Sequence, residues 1–354
     1  MQLAYYAITL AFFFFLYSIL NWGLNLQFGR TGILNFAYIA FVAVGAYITG
    51  VLSLGKPIAG TGESYILGMT LPFPLPLIAG GLAASFLGLF IGLIAFRRLR
   101  SDYLAIVMIS VSIVLYDIIT NYTPLFDGAD GLNGAPEPFA GALNLNPNSF
   151  LYVFTAFTGL VAAAMWWVMS RITRSPFDRT LRAIRDDPDV VRGLGKNVFG
   201  YQMASLLVGS FFAGIGGGLL MEFVGAFNTS AWTSGETFVI FAALIIGGLG
   251  NNVGAIAGSL AVPVIFVELP KFLPQLGGNP ALIPEIDNMI IGILLIATLW
   301  FRPQGLIPER KTRFDRLLGP ARRPTAPPPG PAGRRPATTA RSGVEASGVE
   351  ASGD

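Results

Sequence analysis

The chain alternates long apolar runs with short polar breaks, and the runs are longer than a soluble core requires. Apolar stretches lie near 3–21, 33–54, 75–96, 103–121, 150–170, 202–222, 237–249, 254–268 and 286–301. A bilayer core about 30 Å thick needs roughly 20 such residues per helix, so the pattern predicts an all-α, polytopic membrane bundle with about nine crossings, eight to ten being compatible with it. The seventh and eighth runs are short. They read either as two spans or as a broken, re-entrant pair around Gly247, Gly248, Leu249, Gly250, Asn251 and Asn252. Such a break is tolerated at membrane depth only where protein or a cavity surrounds it.

The largest polar interruption is an island at 171–200 with seven basic residues (Arg171, Arg174, Arg179, Arg182, Arg185, Arg192, Lys196) and four acids (Asp178, Asp186, Asp187, Asp189). Its pattern predicts two short helices. Ser175 is placed as an N-cap with Pro176 at the first helical position. Phe177, Leu181 and Ile184 then share one face. Asp187-Pro188 repeats the start signal, Val190, Val191 and Leu194 are the apolar residues of the second helix, and Gly193 and Gly195 supply a stop and a turn. A solvated loop whose arginines only fix orientation is the plain reading. Two capped helices with apolar stripes exceed that need. The island is therefore expected to dock on a partner, with Phe177, Leu181 and Ile184 at the centre of the contact.

Charge orients the chain. With nine crossings and the N-terminus outside, 21 of the 23 Lys and Arg residues fall on the inner face, and only Lys56 and Lys271 fall outside. The internal segments Arg97–Arg100 and 171–200 agree on this orientation, which makes the C-terminus cytoplasmic. Met1-Gln2 lacks a basic leader, so the first run is expected to be a retained span rather than a signal peptide. Residues 1–307 are expected to form the membrane domain and 308–354 a cytoplasmic tail, disordered from about 320 because its Pro-, Ala-, Gly- and Arg-rich sequence lacks apolar residues to pack. A weak hold on anionic lipid through Arg334, Arg335 and Arg341 is the alternative use of that tail.

Composition then removes chemistry. Charged residues are only 12% of the chain, against about 25% in soluble domains. There is no Cys and no His, which removes thiolate chemistry, the usual general base and the commonest metal ligand. No G-x-x-x-x-G-K-[ST] phosphate loop is present, so ATP coupling by that route would have to come from another chain. No cofactor, metal or nucleic acid is expected.

Polar residues inside the membrane pattern are the remaining candidates. In 21–35, Asn21, Asn25, Gln27, Arg30, Thr31 and Asn35 interrupt apolar sequence among Gly23, Gly29 and Gly32. Half-helix ends of this kind hold zwitterions and ions in transporters; a tight turn with polar caps is the simpler reading. Asn25, Gln27, Gly29, Gly32 and Asn35 are taken as candidate substrate-path residues. Asp117 is the one acid inside a confident span. An acid at mid-membrane costs about 2.5–3.5 kcal/mol on insertion scales, which makes it a candidate for the substrate path, but Asp117 lies within about one turn of the outer end, where the cost falls, so an interfacial or helix-packing role is the simpler reading. Glu222, at a span end, is expected to be wet. The runs Gly214, Gly216, Gly217, Gly218 and Gly247, Gly248, Gly250 are expected to permit close helix packing, or else to line a passage.

Residues 182–195, Arg-Ala-Ile-Arg-Asp-Asp-Pro-Asp-Val-Val-Arg-Gly-Leu-Gly, resemble the coupling loop of ABC-importer permeases, with Arg182 where the general motif has Glu. Residues 173–181 are close to the LivM-type subunit of branched-chain amino acid importers. Segments 25–36, 45–47, 100–107, 247–250 and 301–306 match the same family in order and spacing. The resemblance covers about residues 20–307 of the sequence. It implies a multi-pass permease of the bacterial inner or plasma membrane. Its partners would be a LivH-like second permease, two cytoplasmic ABC ATPase subunits of LivG/LivF type, a periplasmic or lipid-anchored binding protein, and membrane lipid. It also implies that Phe177, Leu181, Arg182, Ala183, Ile184, Arg185, Asp186, Asp187, Gly193 and Gly195 couple the chain to the ATPase. The expected cargo is a branched-chain amino acid, with urea, short amides or other amino acids as alternatives. An ion-coupled secondary transporter is a weaker reading, since Asp117 alone offers an ionisable group at depth, and an intramembrane enzyme lacks any paired acid or nucleophile arrangement.

Overall fold

The computed structural model describes residues 2–57, 64–98, 101–139 and 147–268, together with 289, 292, 293, 296–298, 300–302 and 304–309. The expected span at 286–301 lies largely outside the described residues, as do Lys271 and the tail from 310. Helix α1 (Gln2–Leu24) runs on as a wider, π-type turn, Asn25–Arg30. Then come α2 (Tyr38–Ser53), α3 (Leu75–Arg98), α4 (Ser101–Asn121), a short α5 (Thr123–Phe126) and α6 (Pro147–Thr173). The polar island forms α7 (Pro176–Asp186) and α8 (Pro188–Gly193). After α9 (Val198–Val224) a single 3-10 turn, Thr229–Trp232, leads into α10 (Ser234–Gly247). Helix α11 (Asn252–Ser259) continues as a π-helical stretch, Leu260–Glu268. Two short strands, β1 (Leu132–Asn133) and β2 (Ala226–Phe227), pair antiparallel.

Among the described residues, six helices are long and apolar enough to cross a membrane: Ala4–Arg30, Leu75–Arg97, Tyr103–Asn121, Ser149–Thr173, Val198–Val224 and Thr229–Gly247. Tyr38–Ser53 and Asn252–Ile265 are apolar but shorter. The chain is thus an all-α multi-pass membrane protein. The short pair expected at 237–268 is a hairpin whose turn, 248–251, lies beside residues 304–309. Leu306 N–H donates to Ile246 at 2.8 Å, and Ile307 N–H to Gly247 at 3.0 Å.

Helix α3 shows why these segments assemble. Leu82, Phe86, Phe90 and Ile94 recur every fourth residue and are exposed, Phe86 by 72%. Its opposite face is small: Gly80, Gly81, Ala84 and Gly88. This is the reverse of a soluble amphipathic helix. Lipid is as apolar as Leu, so large side chains gain nothing by turning inward, and small ones let backbones approach. Helices α2, α3 and α9 form the tightest group on that basis. A Cβ at Gly217 would collide with the Val42 carbonyl oxygen, and one at Gly45 with the Gly214 backbone. The glycine runs at 214–218 and 247–254 therefore bring helices together. Glu222 departs from expectation. It is 2% exposed and accepts a hydrogen bond from Ser53 Oγ, because α2 covers this end of α9.

We expect Gly217→Leu to lower the melting temperature of the detergent-solubilised protein, with an overpacking cost of about 1–3 kcal/mol. Phe86→Leu, on the exposed face, should leave it unchanged within error. Equal melting of the two variants would contradict this packing.

Candidate functional site

The island folds as two helices because its start signals work locally. Asp187 caps α8: its Oδ1 accepts from Asp189 N–H at 2.8 Å and Val190 N–H at 3.1 Å. Ser175 occupies the cap position of α7 but differs from expectation. Its hydroxyl donates backward to the Ile172 carbonyl at 2.6 Å and makes no side-chain cap, leaving Pro176 to start the helix. Helix α8 ends at Gly193, and Gly195 has φ +75°.

The apolar stripe of α7 points into the chain. Leu181 and Ile184 are buried, together with Val191 and Val198, and Phe177 stacks on Tyr201 at 5.3 Å. The expectation that Phe177, Leu181 and Ile184 form the centre of a partner contact is therefore corrected. Helix α9 and its leading turn cover Leu181 and Ile184, and Phe177 is half-buried against Tyr201. What faces water is the opposite side: Arg179, Ala183, Asp186, Asp187, Asp189, Arg192, Gly193, Gly195, Lys196, and the apolar residues Val190 and Leu194, the last 74% exposed.

Asp178 is the hinge of the inward face. It lies one turn before Arg182 and is buried. Arg30 Nη1, from the turn that ends α1, donates to both of its carboxylate oxygens at 2.8 Å, with side-chain exposures of 5% and 3%. Arg182 Nη2 reaches Asp178 Oδ2 at 2.8 Å, and its Nη1 reaches Glu309 Oε1 at 3.0 Å. Arg185 pairs with Glu309 at 3.1 Å, pairs more loosely with exposed Asp186 at 3.6 Å, and donates to the Gly29 carbonyl. Three guanidinium groups thus surround two buried or half-buried carboxylates. Nε of Arg30 and Nε of Arg182 are buried without a hydrogen-bond partner among the described residues.

The polar residues of 21–35 meet this cluster from the membrane side. Asn252 is the shared hub. Its Oδ1 accepts from Asn25 Nδ2 at 3.2 Å and from Arg30 Nη2 at 3.5 Å, its Nδ2 donates to Thr173 Oγ1 at 3.4 Å, and its carbonyl accepts from Trp22 Nε1 at 3.1 Å. Asn25 Oδ1 also accepts from Gly250 N–H at 2.9 Å. Gln27 Nε2 donates to the Leu206 carbonyl at 3.0 Å, and Gln27 Oε1 accepts from Asn35 Nδ2 at 2.8 Å. Thr31 and Ser205 hydroxyls bond each other at 2.7 Å and share the Leu26 carbonyl. Gly32 lies against Arg185. The structure places the expected substrate-path residues Asn25, Gln27, Gly29, Gly32 and Asn35 at this junction. Asn25, Gln27, Gly29 and Asn35 are buried and Gly32 half-buried, and the side-chain amides of Asn25, Gln27 and Asn35 bond within the chain, which ties this turn to the island and to α9. Asp117 stands apart, exposed on α4.

Sequence reasoning missed Asp178, Glu309, Thr173 and Asn252 as site residues. For Asp178 a signal was present: it precedes Leu181 by three residues and so shares the inward face of α7. Glu309 and Asn252 are far from the island in sequence, and only the fold brings them to it.

Removing one member of a buried pair leaves an uncompensated charge, at about 3–5 kcal/mol. Asp178→Ala, which strips Arg30 of its carboxylate, should destabilise the solubilised protein more than Arg30→Met, after which Asp178 keeps Arg182. The double variant should be milder than the sum of the two. Thermal melting of the set checks this, and simple additivity would refute the coupling.

With this geometry in place, comparisons with known proteins identify the lineage. The family described as branched-chain amino acid transport system / permease component matches residues 6–299. A probable branched-chain amino acid transport permease protein LivM of Methanocaldococcus jannaschii is 28% identical over 84% of this chain and 92% of its own length. The high-affinity LivM permease of Escherichia coli is 26% identical over 87% of this chain and 71% of its own. The LivH permease of Salmonella typhimurium is 23% identical over 82% and 91%. No solved structure matches the chain. Matched over most of its length, with an all-α multi-pass bundle beneath the match, the chain belongs to the permease-component family of branched-chain amino acid transport systems.

Proposed function

We propose that the chain is one permease subunit of an ATP-driven importer for branched-chain amino acids, and that α7 and α8 couple it to separate cytoplasmic ATPase subunits. The observation that carries this reading is the two-sided island. Its inner face is bound to the turn ending α1 through Arg30 and Asp178, while its outer face leaves Val190 and Leu194 exposed among charges. Exposed apolar residues ringed by charge suit the centre and rim of a protein contact. A force applied to that surface passes to membrane-embedded backbone through ion pairs that are costly to break.

The remaining expectations fit this reading. The proposed topology has nine crossings, the N-terminus outside, and the island and tail in the cytoplasm, in line with the charge bias of the loops. A LivH-like permease would complete the pathway, two LivG/LivF-type ATPases would bind the two coupling elements, and a binding protein would deliver the amino acid. The relatives' names supply the cargo: both LivM and LivH are named for branched-chain amino acid transport.

Val190→Asp and Leu194→Asp in the co-expressed complex should lower ATP-dependent leucine uptake into proteoliposomes about tenfold or more, the equivalent of about 1.4 kcal/mol of lost docking. Co-purifying ATPase should fall in parallel, with membrane insertion unchanged. Full retention of the ATPase by both variants would refute the docking surface. Gradient-driven uptake by the chain alone would refute the importer reading.

A further inference from the structure

Residues 304–309 lie against the turn of the α10–α11 hairpin, backbone on backbone. Leu306 N–H donates to the Ile246 carbonyl at 2.8 Å and Ile307 N–H to the Gly247 carbonyl at 3.0 Å. In return, Asn251 Nδ2 donates to the Ile307 carbonyl at 3.3 Å and to the Pro308 carbonyl at 3.1 Å. Nothing larger than hydrogen fits between the two segments at their closest point. A Cβ at Gly305 would come within 2.6 Å of Gly248 Cα, and one at Gly248 would strike the Ile307 carbonyl. Both glycines also hold positive φ, +73° and +121°, which a side chain would resist.

On its other side the same segment reaches α7 through a single side chain. Glu309 Oε1 pairs with Arg182 Nη1 at 3.0 Å, and Oε2 with Arg185 Nη2 at 3.1 Å. The carboxylate also sits over the hairpin turn: a Cβ at Gly250 would meet Glu309 Cδ at 2.8 Å. Among the described residues, no other hydrogen bond or ion pair joins 304–309 to α7.

The two attachments differ in kind. Ile246 and Gly247 are buried, so their carbonyls would lose their partners and stay dry if the segment moved away, which is costly. The segment and the hairpin therefore move together. The Glu309 pairs are partly wet, with side-chain exposures of 25% for Glu309, 25% for Arg182 and 28% for Arg185. Pairs that meet water add little to stability, unlike Arg30 with Asp178 at 5% and 3%. The other side-chain bonds from this region to the hairpin, Arg30 to Asn252 at 3.5 Å and Asn252 to Thr173 at 3.4 Å, are at the long limit for a hydrogen bond. The fold thus has little need of the Glu309 carboxylate, whereas the shortest connection from α7 to the hairpin runs through it.

We propose that 304–309 is a strap that carries displacement of α7 to the α10–α11 hairpin, with Glu309 as the positioning residue that keeps the hairpin in step with α7. The proposal rests on the importer reading above and adds to it which apolar helices the displacement reaches.

In the assembled importer, Glu309→Gln keeps the shape and removes the charge. Leucine taken up per ATP hydrolysed in proteoliposomes should fall about tenfold, an ordinary size for coupling between sites. Glu309→Asp, which keeps the charge, should restore most of the ratio. Melting of the solubilised Glu309→Gln chain should shift less than that of Asp178→Ala, since the pair it breaks is partly wet. An unchanged ratio in Glu309→Gln would overturn the strap and leave the importer reading intact. Parallel loss of uptake and ATP hydrolysis, with melting lowered as far as in Asp178→Ala, would also overturn it, because that result marks a structural role alone. Failure of the wild-type complex to take up leucine would remove the importer reading and the strap's function with it.

Discussion

A guanidinium and a carboxylate pressed together out of reach of water, Arg30 and Asp178, set the terms for the island end of this protein. Neither charge is affordable alone in that setting, and together they hold only while the geometry is kept. Keeping it fixes the turn that ends α1, the entry angle of α7 and, through Arg182, Arg185 and Glu309, the segment at 304–309. Asn252 extends the same constraint to the hairpin of α10 and α11. Four parts of the chain far apart in sequence thereby become one mechanical unit, with a membrane-embedded break on one side and a water-facing surface on the other.

Away from the island a different rule holds. There the bundle is held by backbone proximity at small residues, with Gly45 against Gly214 and Gly217 against Val42, and by rings such as Tyr47 stacked on Phe126 at 4.7 Å. Close packing of α2, α3 and α9 makes a rigid centre. Helix α4 meets that centre sparingly and borders the cavity beside α10. An interior built from glycine contacts leaves little empty space, and the cavity lined by Ser112, Ile113, Tyr116, Trp232 and Thr233 falls where that packing gives way, between α4 and the turn before α10.

Much of this was legible in order along the chain. Apolar runs of membrane length became helices at nearly the expected positions, and Asp187-Pro188 started a helix as its chemistry requires. The stripe Phe177, Leu181, Ile184 was found as a stripe, yet its direction was misjudged. Periodicity reveals that a helix has an apolar face but is silent on whether that face meets the same chain or another. Glu222 was misjudged for a related reason. Its place at a helix end suggested water, whereas α2 folds over it. The residues of 21–35 were recognised as unusual, but a buried amide that lines a path and one that ties two segments together have the same sequence signature.

The sequence by itself determined that this chain lives in a bilayer, that it is helical, and that it carries one structured charged element, because hydropathy, capping and the need to satisfy backbone hydrogen bonds in lipid are local properties. The tertiary structure alone decided which groups meet: Arg30 with Asp178, Glu309 with two arginines, and Asn252 with Asn25. Those pairings join residues more than a hundred positions apart. Their energies depend on burial and distance, which exist only once the helices have packed.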